Sequence, residues 1–164
     1  MTAPDAHYLE MSIALAANCP VSSSAFAVGA VLVGPSGAVL AKGWSRMNTP
    51  HDHAEEAALH LASQDGADLT GATIYSSLEP CGDRASRPVS CAQLIVEAGV
   101  ARVVYAARET SQFVEVPRGR AVLAAAGVDV AQIEEFAERA QDAARSRQGG
   151  TPTIDPETTF GAAS

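Results

Sequence analysis

The chain has 164 residues, 47% apolar and 18% charged, a balance that supports one folded domain with its own core and excludes a disordered, highly charged protein. Eleven Lys and Arg against 19 Asp and Glu give a formal charge of -8, which repels polyanions; long nucleic acid is not an expected partner, and a small anionic substrate would need a local pocket of arginines. Asp5 and Glu10 lie where a signal peptide would be basic, no run is long enough to span a membrane, and three unevenly spaced cysteines make no disulfide framework, so the expectation is a cytoplasmic protein whose cysteines bind a metal or do chemistry.

In chain order, Tyr8, Leu9, Ile13 and Leu15 recur at helical spacing and predict a first helix over residues 4–17, stopped by Asn18, Cys19 and Pro20. Residues 26–33 are apolar and β-branched, 35–37 read as a turn and 38–44 continue in kind, which predicts a hairpin. A polar loop through Asn48, Thr49 and Pro50 leads to residues 53–62, rich in helix formers and closed by Gly66, with Asp52 as the expected N-cap. A strand over 72–78, a helix over 91–98 ended by Gly99 and a strand over 100–106 form a β-α-β unit, whose strands should be parallel. Residues 119–126 predict a short helix, 128–133 a last strand and 134–147 a terminal helix. The single domain is expected to occupy residues 1–147, with 148–164, which lacks apolar periodicity, as a mobile tail.

Two fragments carry chemistry: His53-Ala54-Glu55 at the start of one predicted helix, and Pro80-Cys81 followed by Cys91 at the start of the next. One imidazole and two thiolates are ligands that zinc prefers, and three protein ligands leave open the fourth tetrahedral position that a catalytic zinc needs. Zinc lowers the pKa of a bound water from about 15.7 toward ~7, so the nucleophile for a hydrolysis comes from the metal. Such a hydrolysis also needs a carboxylate to take a proton from water and give one to the leaving group, and Glu55 is the candidate. Helix geometry pulls the other way: residues two apart diverge by roughly 200°, whereas Glu56, at i+3, shares a face with His53. Glu55 fits if the metal sits over the helix N-terminus, where first-turn side chains converge. Cys91, opening its own helix, gains thiolate character from the same kind of end.

His-x-Glu followed by Pro-Cys resembles the zinc-dependent cytidine/deoxycytidylate deaminase-like superfamily. The nine residues between Cys81 and Cys91 depart from the Pro-Cys-x-x-Cys spacing and instead resemble the pyrimidine deaminases of riboflavin biosynthesis, in particular their fungal-type branch. The likeness rests on Cys19-Pro20, residues 25–33 and 43–46, His53-Ala54-Glu55, residues 77–81, Arg84, Ser86, Cys91, residues 98–100 and Phe113-Val114. Arg87-Pro88-Val89-Ser90 stands where that family has a Gly-rich approach to the second cysteine, and Gly82 where a serine is common. The resemblance implies a three-layer α/β/α cytidine-deaminase-like fold with a mixed five-stranded sheet. It also implies Zn2+ on His53, Cys81 and Cys91, with Glu55 rather than Glu56 as the proton shuttle, and self-association, with a dimer as the first expectation. The expected substrate is a diaminopyrimidinone carrying a ribityl or ribosyl phosphate.

Substrate contacts are expected from Phe26 and Ala27 at the edge of a base pocket, from Ser45, Asn48, His51 and Ala54 around the His motif, and from Ser77 and Glu79 ahead of Cys81. Arg46 and Arg84 suit a phosphate, since the guanidinium fork matches an oxyanion. Plainer readings stand beside these: Glu79 capping a neighbouring helix, solvated arginines, residues 25–29 as a buried strand, and His60 and Cys19 as structural. Two other functions also stand. One is a deaminase of another free base, nucleoside or nucleotide (cytosine-, cytidylate- or guanine-like), separated by its phosphate dependence. The other is a non-catalytic zinc-stabilised scaffold or binding subunit, against which a non-ligand carboxylate at Glu55 argues.

Overall fold

Thr2 opens the first helix, α1 (Ala3–Leu15), through a capping box: its hydroxyl accepts from the Asp5 N–H, and the Asp5 carboxylate accepts from the Thr2 N–H. The structure is a computed structural model that describes residues 2–83, 87–108 and 118–148. A 3-10 turn (Ala16–Asn18) ends α1 as the chain nears Pro20. β1 (Gly29–Val33) and β2 (Val39–Trp44) form the predicted antiparallel hairpin. β1 starts later than the apolar run because N–H groups before it are spent outside the ladder: the Ala27 N–H donates to the Ala144 carbonyl and the Val28 N–H to the Ser45 hydroxyl.

α2 (Ala54–Gln64), β3 (Thr73–Leu78), α3 (Cys91–Glu97) and β4 (Arg102–Ala107) follow, and β3 and β4 pair in parallel as the crossover requires. Gly99, at φ 77°, takes the left-handed position just past α3 that a glycine adopts without strain. α4 (Gly119–Ala125), β5 (Asp129–Gln132), a 3-10 turn (Glu134–Phe136) and α5 (Ala137–Arg145) complete the described chain, so the predicted terminal helix is two pieces. The tail expected over residues 148–164 lies outside the described residues except for Gln148, which bridges Ser22. The Ser22 N–H also donates to the Arg147 carbonyl, and the Arg147 guanidinium donates to the Ala17 carbonyl, so the end of α5 is stitched to the segment between α1 and β1.

The sheet order is β2-β1-β3-β4-β5, antiparallel across β2, β1 and β3 and parallel across β3, β4 and β5. Alternation along the strands sends Leu32, Ile74, Val103 and Tyr105 to one face, against Ala58 and Leu59 of α2, Ile95 of α3 and Leu123 of α4. Val31, Tyr75, Val104 and Ala106 go to the other, against Leu9 and Ile13 of α1 and Phe136 and Ala140 of the C-terminal helices. This is the three-layer α/β/α fold with a mixed five-stranded sheet that the resemblance implied. No helix among the described residues is long and apolar enough to cross a membrane.

One close approach matters for the site. A Cβ on Gly43 of β2 would run into the Ala54 carbonyl and come within 2.5 Å of the Ala58 nitrogen, so a glycine lets the first turns of α2 lie directly on the sheet. The residue that caps this helix is His53, with extended backbone (φ -89°, ψ 157°), and not Asp52 as expected. Asp52 faces backward into the loop, where its carboxylate accepts from the N–H groups of Asn48 and Thr49, both at 2.8 Å, and from the Thr49 hydroxyl at 2.9 Å. Those donors had no helical carbonyl to bond, and they claim the carboxylate ahead of α2.

Candidate active site and metal centre

β3 runs out at Leu78 into Glu79, Pro80 and Cys81, and delivers Cys81 between the starts of α2 and α3. There the His53 Nδ1 lies 3.5 Å from the Cys81 Sγ and 3.3 Å from the Cys91 Sγ. The Cys91 N–H donates to the Cys81 Sγ at 3.3 Å, and Ser90 caps α3 by accepting from the Gln93 N–H. The three ligand atoms lie within 4.8 Å of one another, a group able to hold a metal ion. The hydrogen bond from the Cys91 side chain, working against burial and aided by His53, holds the Cys81 thiol down at about 4. The lowering favours the thiolate, the form that binds metal.

The conflict between Glu55 and Glu56 dissolves in the backbone. His53 is extended, so helical periodicity starts only at Ala54, and His53 and Glu55 both line the same recess. Glu55 is 3% exposed, and the Ser76 hydroxyl donates to its Oε1 at 2.5 Å. Glu56 pairs instead with the Arg87 Nε at 3.2 Å. Burial pushes the Glu55 carboxyl above its usual range, opposed by the Ser76 hydrogen bond and then by the charge of His53. Ser76→Ala removes the first of these opposing contacts, so Glu55 should ionise at higher pH than in wild type. NMR or infrared titration of the Glu55 carboxyl in Ser76→Ala checks this, and an unshifted titration counts against the contact.

Phe26, Ser45, Arg46, His51, Ala54 and Glu79, six of the residues expected to touch substrate, line a cavity of about 600 Å³ that also takes in His53, Glu55 and Cys81. Ala27 and Ser77 are fully buried and lie behind its wall; the Ser77 hydroxyl accepts from the Gly29 N–H at 3.1 Å. Asn48 is exposed and does not line the cavity, and Arg84 lies outside the described residues. Arg46 adopts φ 58°, and its guanidinium donates to the Phe26 carbonyl at 3.2 Å and the Pro20 carbonyl at 2.7 Å, bracing the cavity wall. The Glu79 side chain, 3% exposed, uses Oε1 to accept from the Arg120 N–H at the start of α4, while Oε2 stands 3.8 Å from the Arg108 Nε. Ser76 was not singled out from sequence, and Arg87 only as part of the departure over residues 87–90. The available signal for Ser76 was a hydroxyl inside a strand of a parallel β-α-β unit, where both faces are covered and a hydroxyl must find a partner.

A mixed sheet whose strand end and two helix starts gather one histidine, two cysteines and a buried carboxylate, all but Cys91 lining one cavity, defines a cytidine-deaminase-like protein with a group able to hold a metal. Residues 2–107, which include all four of these side chains, match the family described as the cytidine and deoxycytidylate deaminase zinc-binding region, and the chain belongs to that family. It is 37% identical over 110 residues to the diaminohydroxyphosphoribosylamino-pyrimidine deaminase of Schizosaccharomyces pombe, covering 66% of this chain and 27% of the relative. It is 40% identical over 104 residues to the riboflavin biosynthesis protein RibD of Escherichia coli, covering 63% and 26%. A crystal structure of the Aspergillus oryzae Rib2 deaminase, a C-terminal deletion mutant at pH 4.6, aligns with a TM-score of 0.77 at 25% identity over 87% of this chain and 91% of that one. The chain spans about a quarter of the length of the curated relatives it matches.

Proposed function

We propose that the protein is a zinc-dependent hydrolytic deaminase that replaces an exocyclic amine of a pyrimidine with oxygen and releases ammonia, acting on a diaminopyrimidinone that carries a ribityl or ribosyl phosphate. The observation that carries this reading is the buried Glu55, oriented by Ser76 on the same cavity as His53 and Cys81. A zinc that served structure alone would need no such carboxylate. The riboflavin-pathway names of the S. pombe and E. coli relatives support the substrate class.

The donor set fits zinc. With Zn–S of about 2.3 Å and Zn–N of about 2.0 Å, tetrahedral ligands lie ~3.5 Å apart, and the His53 Nδ1 to sulfur distances are 3.5 and 3.3 Å. Zinc held by His53, Cys81 and Cys91 would supply Lewis acidity that brings a water close to ionisation at neutral pH. Glu55 does the proton work. With Oε1 held by Ser76, the carboxylate takes one proton from the attacking water and passes it to the ring nitrogen as the C–O bond forms; it then takes the remaining proton of the added hydroxyl and delivers it to the amine, so that C=O forms, the C–N bond breaks and ammonia leaves. Phe26 and Ala54 give the cavity apolar wall for a planar ring, and Glu79 offers an acceptor to its N–H groups.

An ammonia-release screen of the zinc-loaded protein across amino-pyrimidines and purines, each with and without 5'-phosphate, tests the reading. Turnover is expected for phosphorylated diaminopyrimidinones. Release only from cytosine- or guanine-type compounds would move the enzyme out of riboflavin-type chemistry. Equal rates without phosphate would remove Arg46 and Arg84 as phosphate ligands, and zinc retained with no release from any compound would favour the scaffold.

A further inference from the structure

We propose that Arg87 is a positioning residue for the metal site, locking the loop that leads into Cys91 onto the helix start that carries His53 and Glu55. This rests on the reading of His53, Cys81 and Cys91 as metal ligands.

The ligands come from two parts of the chain. Cys81 and Cys91 already form a tied pair through the Cys91 N–H to Cys81 Sγ bond and the Ala92 N–H to Cys81 carbonyl bond. His53 comes from the other part, at the cap of α2. Arg87 lies in the loop between the two cysteines and reaches across. Its Nε stands 3.2 Å from the Glu56 Oε1, and its NH2 stands 3.2 Å from both the Asp52 Oδ1 and the Thr49 hydroxyl oxygen. Asp52 directly precedes His53, and Glu56 directly follows Glu55. A single guanidinium thus grips both residues that bracket the His-Ala-Glu motif and supplies a tie that does not run through the ligands themselves.

Two features separate this contact from an ordinary surface ion pair. Asp52 is a buried carboxylate whose other acceptor positions are filled by Asn48 and Thr49, so its direction is set by the loop and it serves as a fixed anchor. The grip also spans two carboxylates: NH2 donates to the Asp52 carboxylate while Nε faces the Glu56 carboxylate as an ion pair, a spread that the point charge of a lysine does not reproduce. Groups that hold metal ligands from behind are known to set affinity by about 10- to 100-fold when removed. The pairing also explains why Glu56, on the face that periodicity favoured, takes no place in the cavity.

The test uses full-length zinc-loaded protein and the variants Arg87→Met, Arg87→Lys and Asp52→Asn. Three quantities are measured: the rate of zinc release to excess chelator, the visible spectrum of the cobalt(II)-substituted protein, and thermal melting with and without metal. Arg87→Met is expected to release zinc about 10- to 100-fold faster and to change the cobalt ligand-field bands, with Arg87→Lys only part way back. Asp52→Asn should change release in the same direction and add less than its full effect on top of Arg87→Met. If Arg87→Met does not fold, Arg87→Lys decides, and a folded lysine variant with wild-type release and spectrum overturns the proposal. Melting lowered equally in both metal states with unchanged release would show a merely structural tie and overturn it too. A wild-type chain that holds no zinc would overturn the ligand assignment and this inference with it; zinc held equally by all variants would overturn this inference alone.

Discussion

Glu55→Gln is expected to keep the fold and the metal and to lose turnover by about 10²- to 10⁴-fold, the usual span for removing a proton-transferring group. The amide is nearly isosteric, and its oxygen can still accept from the Ser76 hydroxyl, so the cavity wall should stay in place. What is lost is the site that holds a proton. Stability should not suffer. Burial raises the Glu55 pKa above its unfolded value, so the stability linked to this group is fully present below the unfolded pKa and is lost as pH rises through the folded one. At neutral pH in the metal-free protein a neutral Gln avoids that loss, and the apo variant should melt no lower than wild type. Metal analysis beside an ammonia-release assay checks the first part and calorimetry the second. Full activity in Glu55→Gln would sink the assignment of the proton shuttle.

Cys91→Ala is expected to lose both metal and activity. Cys91 is fully buried and its sulfur lies 3.3 Å from the His53 Nδ1, at the cap end of α3. Its removal leaves a two-ligand set, and zinc should be absent after dialysis, with deamination at background. Because the metal binds only the folded chain, its loss also removes stabilisation of about 4 kcal/mol where free zinc would stand at ~1,000 times Kd. A chelator should therefore lower the melting temperature of wild type and leave that of Cys91→Ala unchanged. Stoichiometric zinc in Cys91→Ala would mean that the three residues do not form the metal site.

The parts of the fold that were legible in the sequence are those written in short-range patterns. The hairpin of β1 and β2 is marked by a Pro-Ser-Gly turn between apolar runs, and the parallel pairing of β3 and β4 follows from the helix between them. The convergence of His53, Cys81 and Cys91 into one group able to hold a metal ion was legible because the types and local contexts of these residues carry it. What the sequence did not disclose depends on the path of the chain. An aspartate before a helix can turn its carboxylate forward to the helix or back to the loop, and the free N–H groups of Asn48 and Thr49 drew Asp52 back. That left His53 as an extended cap, the backbone reason why Glu55 lines the recess although helical periodicity alone pointed to Glu56. Ser77 was expected in the pocket, yet strand alternation sends it opposite to Ser76, which meets Glu55. Arg87 has no local signature, since Asp52 is 35 residues earlier in the chain.

The stitching of α5 to the segment between α1 and β1 orders events in time as well as space. Every side chain of the metal-binding group lies between His53 and Cys91, on elements that emerge from the ribosome well before the last helix. The wall built from Ser22 to Ala27 cannot be secured until Ala144, Arg147 and Gln148 have been synthesised and docked. During synthesis from the N-terminus, the nascent protein can therefore bring its His-Cys-Cys group together first and close the cavity wall last.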